Sequence, residues 1–492
     1  MTTESSRAPV YLDYAATAQV MPAVAQRMAE VLAMPPGNSS ANHAAGNTAQ
    51  ALIEAARAQV AALIGADPAD IVFTSGATES NNLAITGTAR AALARGIKPH
   101  VITLATEHKS VLETVRDLAS QGISITVLKP DSSGLLDAEA LASAIQPNTC
   151  LVSLLHVNNE TGVAQDLDAL RAVCRSRAVP LHVDAAQSAG KMPLDVRDTA
   201  LLSFTAHKLG GPQGIGALYV APSHRGSIKA QLLGGGHERG LRAGTLATHQ
   251  IVGFGLACEL ASGQREAESA RLSALRERLW RALSDLPGAK LNGHASARVP
   301  GILNVTFAGV EGESLFTGLN DLILATGSAC NSRSGEPSYV LRALGRDTGE
   351  AQSSLRLSLG WASTENDITA AIHAVRRVHA GLWKLSPARP APVGHVLGEA
   401  GAERLGTWVR FAARVENGQV RDVSVQVFGC PHVTAACSHV AERIKGQHLT
   451  ALAAGSPEEW RLAVHAPVEK LGTILIIEDA LAALCRGQIP RS

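Results

Sequence analysis

The sequence predicts an α/β protein built on a mostly parallel, twisted sheet, and three observations carry that expectation. Between about residues 65 and 220, short β-rich runs (DIVFTS, HVITLAT, ISITVLK, CLVSLLHV, PLHVDAA and ALLSFTA) alternate with Ala/Leu/Arg stretches of helical period. Such alternation makes βαβ units, whose helices cover both faces of the sheet. The chain has 492 residues, 46% of them apolar and 18% charged, enough to bury a large core and the wrong mix for disorder. Glycine is plentiful at 45 while Phe, Trp and Tyr number 7, 5 and 4, which points to an aliphatic core with tight turns.

Taken in order, the strand exits are polar. DIVFTS leads into Gly76, Ala77 and Thr78, HVITLAT into Glu107, His108 and Lys109, and CLVSLLHV into Asn158, Asn159 and Glu160. PLHV leads into Asp184 and Gln187, and ALLSFTA into His207 and Lys208. Ligands of open α/β sheets bind beyond the carboxyl ends of the strands, so the five exits predict one composite site. SGQREAESARLSALRERLWRALSDL, about 262 to 286, follows as a charged amphipathic helix, and GILNVTF, ILATGSA and SLRLSLG suggest a smaller α/β lobe. That division gives a large domain of about 15–260 and a small one of about 261–388 that includes the N-terminal segment. The three prolines of LSPARPAPVG mark a linker, placed at 389–394. WVRFAARV and VRDVSVQVF then flank Glu416-Asn417-Gly418-Gln419, a hairpin signal that opens a separate α+β module at 395–492. Its helices are HVTAACSHVAERIKG and TILIIEDALAALCRG.

Several classes drop out. Lys plus Arg is 44 and Asp plus Glu is 43, a formal charge of +1 without the basic excess of a nucleic-acid or anionic-membrane binder. The opening MTTESSRAPV has no signal-like apolar stretch and no window reaches membrane-span length, so a cytoplasmic protein with no membrane contact is expected. Seven cysteines, at 150, 174, 258, 330, 430, 437 and 485, form no CxxC pair, and neither a disulfide framework nor a metal site is expected.

The site residues suggest a chemistry. Lys208 lies between a strand and a Gly-Gly-Pro-Gln-Gly turn, and Asp184 ends an apolar strand where an unpaired carboxylate is costly. A pyridoxal phosphate (PLP) enzyme needs a lysine for the Schiff base, an acid for the pyridine nitrogen and an anion-binding turn. Gly76-Ala77-Thr78, between strand and helix, can supply that turn through backbone N–H groups and the helix dipole. His108 suits stacking and proton transfer. Each has a plainer reading (surface lysine, capped turn, satisfied loop histidine), and their shared placement is what counts.

Through YLDYAATA, FTSGATESNNLAI, TEHKSVL, HVNNETGV, HVDAAQSAGK, AHKLGGPQGIGALYV, GGGHERGLRAGT, GSAC, EPSYVLRALG and SLRLSLG, residues 9 to 388 closely resemble the cysteine desulfurases of iron–sulfur cluster assembly. The resemblance implies PLP-dependent transferase fold type I, with a seven-stranded-type sheet in the large domain. It implies Lys208 as the Schiff-base lysine, Asp184 as partner of the pyridinium, Gln187 near the ring hydroxyl and His108 as a stacked acid–base group. Ala77, Thr78, Thr205 and His207 would bind the phosphate, with Thr245 reaching across a homodimer, and Asn159 and Arg356 would bind the carboxylate of L-cysteine. Cys330, in a Gly/Ser/Asn-rich loop, matches the catalytic cysteine that carries sulfur as a persulfide to an acceptor protein. Asn38-Ser39-Ser40 lacks the proline usual before the two serines, and Thr205 stands where serine is common. A selenocysteine lyase of the same fold, or a non-catalytic adaptor, stay open as alternatives.

Residues 395–492 resemble, more weakly, the U-type iron–sulfur scaffolds, but only Cys430 matches a ligand cysteine. The first ligand region, GEAGAERLGTW, has none, and the last His-Cys pair reads Leu471-Gly472. Either Cys430 is a tethered sulfur acceptor or the module only docks and stabilises.

Overall fold

The computed structural model describes residues 8–326 and 336–487. Strand β1 (Val10–Tyr11) leads into helices Pro22–Leu32 and Ala44–Leu63. There follow β2 (Ile71–Thr74), β3 (His100–Leu104), β4 (Ser124–Leu128), β5 (Thr149–Leu155), β6 (Leu181–Asp184), β7 (Leu201–Thr205) and β8 (Gly216–Val220). These seven strands make one sheet in the order β2-β8-β7-β6-β5-β3-β4. Neighbours from β7 to β4 pair in parallel, and β8 runs antiparallel to β2 and β7. All residues of β2, β3, β6, β7 and β8 are buried, which explains their unbroken apolar runs, because helices cover both faces. Phe73 points into one core with Ile53, Leu154, Phe204 and Phe254, while its neighbour Val72 points into the other with Leu83, Val101 and Leu218.

Helix Thr248–Leu283 has 36 residues and begins well before the charged segment expected at 262. Its early Ile251, Phe254 and Ala257 pack on the sheet core, and its late Leu275, Leu279 and Leu283 pack on the next lobe. The apolar stripe changes partner midway, so no single amphipathic period marks the helix.

The second lobe holds β9 (Ala289–Leu291), β10 (Ile302–Phe307), β11 (Leu322–Ile323), β12 (Ala325–Thr326) and β13 (Ser354–Ser358). Four of these pair antiparallel in the order β12-β13-β10-β9, and β11 pairs in parallel with β1. The N-terminal strand is thus built into this lobe.

The last module is an antiparallel sheet of β14 (Val396–Ala402), β15 (Thr407–Glu416) and β16 (Gln419–Phe428), with helices Pro431–Ile444, Pro457–Ala463 and Leu471–Cys485. Asn417 and Gly418, with φ of 52° and 77°, make the tight turn their sequence suggests. β14 escapes a propensity reading because VLGEAGA is rich in Gly and Ala. Gly398 is required there, since a Cβ would lie 2.3 Å from the carbonyl oxygen of Ala480 on the covering helix. The module joins the second lobe where Val427 N–H donates to Leu385 O (2.8 Å), Ser314 Oγ donates to Gly429 O (3.0 Å) and Lys470 pairs with Glu313 (2.8 Å). Among the described residues no helix is long and apolar enough to cross a membrane.

Candidate active site

The strand exits converge. One cleft, about 1480 Å³ with its solvent-filled mouth, is lined by Ala77, Thr78, His108, Asn159, Asp184, Gln187, Thr205, His207, Lys208 and Arg356. All but Arg356, which lies in the middle of β13, come from the ends of the large sheet's strands or the segments that follow them, where backbone direction brings side chains above the sheet.

Asp184 ends β6. Its Oδ1 accepts from the N–H of Ala186 (2.9 Å) and its Oδ2 from Asn81 Nδ2 (2.7 Å), so both oxygens are fixed. Lys208 follows β7, and its Nζ donates to the carbonyls of Ala15 and Ala16, at 2.6 Å for the latter. His207 donates to or accepts from Thr17 Oγ1 (3.2 Å); burial, with Lys208 and Lys191 nearby, lowers its pKa to about 4, so it is neutral at pH 7. Gln187 is held at both ends of its amide, Nε2 donating to Ala15 O (2.8 Å) and Oε1 accepting from Lys191 Nζ (3.2 Å). Lys191 lies half-buried behind the site, and desolvation, then Arg356, lowers its pKa to about 8.

The anion cradle has a steric cause. Gly76 has φ of +154° and caps helix Ala77–Ala94, which has no side-chain N-cap, leaving first-turn N–H groups at the cleft. Opposite it, a Cβ on Gly216 would sit 2.7 Å from Gly76 Cα, so the close approach requires glycine at 216, while φ requires it at 76. Thr205 Oγ1 stands against Gly76 and donates to Ile215 O (3.1 Å). An uncapped helix terminus, a lysine and a strand-end carboxylate in one cleft fit the phosphate, aldehyde and pyridine nitrogen of PLP.

Arg356, on β13, is 1% exposed. Its guanidinium donates to Asn159 O (2.9 Å) and pairs with Asp13 Oδ1 (2.7 Å), while its buried Nε has no partner among the described residues. Thr245 is exposed and lies outside the cleft lining of its own chain. Cys330 falls within 327–335, outside the described residues. Cys430 caps helix Pro431–Ile444 in the module, 7% exposed and away from the cleft lining.

Sequence reasoning missed Asn81, Ser110, Asp13 and Lys191. Asp13 and Lys191 lie inside quoted motifs, YLDYAATA and HVDAAQSAGK, as polar residues beside apolar strands. Asn81 and Ser110 also lie inside quoted motifs, FTSGATESNNLAI and TEHKSVL, but early in helices, where polar residues ordinarily face water.

Residues 10–370 match the class-V aminotransferase family, and residues 383–484 match the NifU-like N-terminal domain. The cysteine desulfurase IscS of Aeromonas hydrophila subsp. hydrophila is 51% identical over 384 residues, spanning 77% of this chain and 95% of its own. The structure of a NifS-like protein superposes with a TM-score of 0.70 at 32% identity, over 77% of this chain and 100% of its own. That of SspA in complex with cysteine gives 0.65 at 38% identity, over 71% and 98%. The chain belongs to the class-V aminotransferase family, among its PLP-dependent cysteine desulfurases, and carries a NifU-like N-terminal domain behind the enzyme.

Proposed function

We propose that this chain takes sulfur from L-cysteine, releases L-alanine and carries the sulfur as a persulfide on Cys330 to an acceptor protein in the cytoplasm. The observation that carries the reading is the convergence of Lys208, Asp184, Gln187, His108 and Arg356 on one cleft. Lys208 is the residue to bind the PLP aldehyde, Asp184 the ring nitrogen and Gln187 the ring hydroxyl. Ala77, Thr78, Thr205 and His207 hold the phosphate, with Thr245 supplied by a second copy in a homodimer. When bound, the cofactor supplies an electron sink that weakens bonds at the substrate carbons.

The protein's own groups do the rest. Arg356, with Asn159, holds the substrate carboxylate, for which a guanidinium fork is well shaped. Lys208 and His108 move protons at the substrate carbons. The Cys330 thiolate attacks the substrate sulfur, and the C–S bond breaks with its electron pair staying on carbon. Protonation of that carbon gives the methyl group of alanine, and Cys330 keeps the sulfur as S–SH.

Sulfide and alanine release from L-cysteine with a reductant tests this, using wild type and Cys330→Ala side by side. Loss of turnover with the yellow cofactor retained is expected. Full turnover in the variant would remove Cys330 as nucleophile and favour a selenocysteine lyase or another PLP elimination. For the module, docking is the reading supported by its contacts at Ser314, Leu385 and Glu313. Labelled cysteine followed by alkylation tests the alternative, and sulfur recovered on Cys430 would make that residue an acceptor.

A further inference from the structure

We propose that Asn81 and Ser110 are positioning residues that hold His108 as its Nε2–H tautomer and join it to Asp184 through one directional chain of hydrogen bonds. The inference rests on the reading above of Asp184 and His108 as groups that face the cofactor.

Asn81 is 0% exposed. Its Nδ2 donates to Asp184 Oδ2 (2.7 Å) and to Ser110 Oγ (2.9 Å). The amide has one sensible orientation, because flipping it would set a carbonyl oxygen against a carboxylate. Both Nδ2 hydrogens are therefore spent, and Asn81 Oδ1 is left buried without a partner among the described residues, a cost accepted to keep the two donors aimed. Since Ser110 Oγ accepts from Asn81, its own hydrogen is available to its other neighbour, His108 Nδ1, at 2.8 Å. The backbone N–H of Ser110 reaches the same ring nitrogen at 3.1 Å. Two donors on Nδ1 require a lone pair there, so the ring proton sits on Nε2.

The backbone explains why the arrangement is stable. His108 is the N-cap of helix Lys109–Ser120, so Nδ1 takes the place of a capping oxygen and the helix dipole opposes a positive ring. Burial acts most strongly in the same direction, Lys208 and Lys109 add to it, and Asp184 opposes them, with a lowered pKa as the net result. A neutral imidazole held this way works as a hydrogen-bond donor from Nε2, in the manner known for other helix-capped catalytic histidines. His108 thus enters the reaction as a donor, and Lys208 is left as the group that first accepts a proton.

Nitrogen NMR of the holoenzyme carrying labelled histidine tests this, with the His108 signals identified by their loss in His108→Gln. A proton on Nε2 and none on Nδ1 at neutral pH is expected. A proton on Nδ1, or an imidazolium, overturns the proposal, and the wild-type spectrum decides this without any variant of the bridge. Ser110→Ala should move the acid limb of the pH–rate profile upward by about one unit, the worth of one hydrogen bond, and Ser110→Thr should restore it. An unmoved limb in Ser110→Ala overturns the part given to Ser110. If L-cysteine yields no alanine, the proposed function fails whatever the tautomer; alanine formed by an enzyme with Nδ1–H sinks this inference alone.

Discussion

Arg356 shows how a buried cation can be both anchored and ready for a ligand. Asp13 and the carbonyl of Asn159 hold its two terminal nitrogens, and each of these keeps a second N–H for a substrate carboxylate. Asp13 therefore sets the direction of the fork. Asp13→Ala is expected to raise KM for L-cysteine about tenfold, equal to about 1.4 kcal/mol of lost binding, with kcat and cofactor absorbance little changed. An unaltered KM would show that Asn159 alone positions the guanidinium. Lys208, Asp184 and His108 could be found in the sequence because each follows an apolar strand, and strand ends are where α/β sheets bind ligands. Asn81 and Ser110 could not, because a one-dimensional pattern does not say which side of a helix's early turns meets a neighbouring residue.

Among the elements, the segment between β8 and helix Thr248–Leu283 is held by one buried ion pair. Arg57 and Glu238, 4% and 2% exposed, meet bidentately at 2.8 Å, and Glu238 also accepts from the N–H of Phe73 (2.7 Å). Glu238 and Arg239 both have positive φ, 49° and 56°, so this clamp overrides local backbone preference. Glu238→Gln should cost about 2 kcal/mol, because the buried Arg57 is then left with only the exposed Glu54 (3.2 Å) as counter-charge, read as a lower urea midpoint. It should also weaken PLP affinity, because the same segment carries Thr245. The hairpin at Asn417-Gly418 was readable because its turn chemistry is local. β14 was hidden because its glycine answers to a helix about 80 residues further along the chain.

Across the whole molecule, buried titratable groups shape the pH response. His156, His182 and His224 have pKa values lowered by burial to about 4, about 3 and about 4. Unfolded histidine binds a proton near pH 6.5 and these do not, so their contribution to stability is complete above pH 6.5 and is lost as pH falls toward 4. Glu160 acts in the opposite sense. Burial raises its pKa to about 7, against the hydrogen bond from Ser338, so its contribution is present below pH 4.5 and lost as pH rises through 7. Thermal scans should show Tm falling from pH 7 to pH 5, and Glu160→Gln should raise Tm more at pH 7.5 than at pH 5. An equal rise at both would show that Glu160 keeps its charge in the fold.

The segment from β1 to Thr17 touches both lobes that wall the cleft. It pairs with β11, holds Arg356 through Asp13 across 343 residues of chain, and holds Lys208 and Gln187 through the carbonyls of Ala15 and Ala16. During synthesis its partners on the second lobe leave the ribosome roughly 20 to 70 seconds after it does, at 5 to 20 residues per second. The large sheet can form earlier, but the cleft has no finished wall until Arg356 has emerged. Completion of the substrate-carboxylate wall is therefore a late event in the life of the nascent chain, set by the order in which the residues are made.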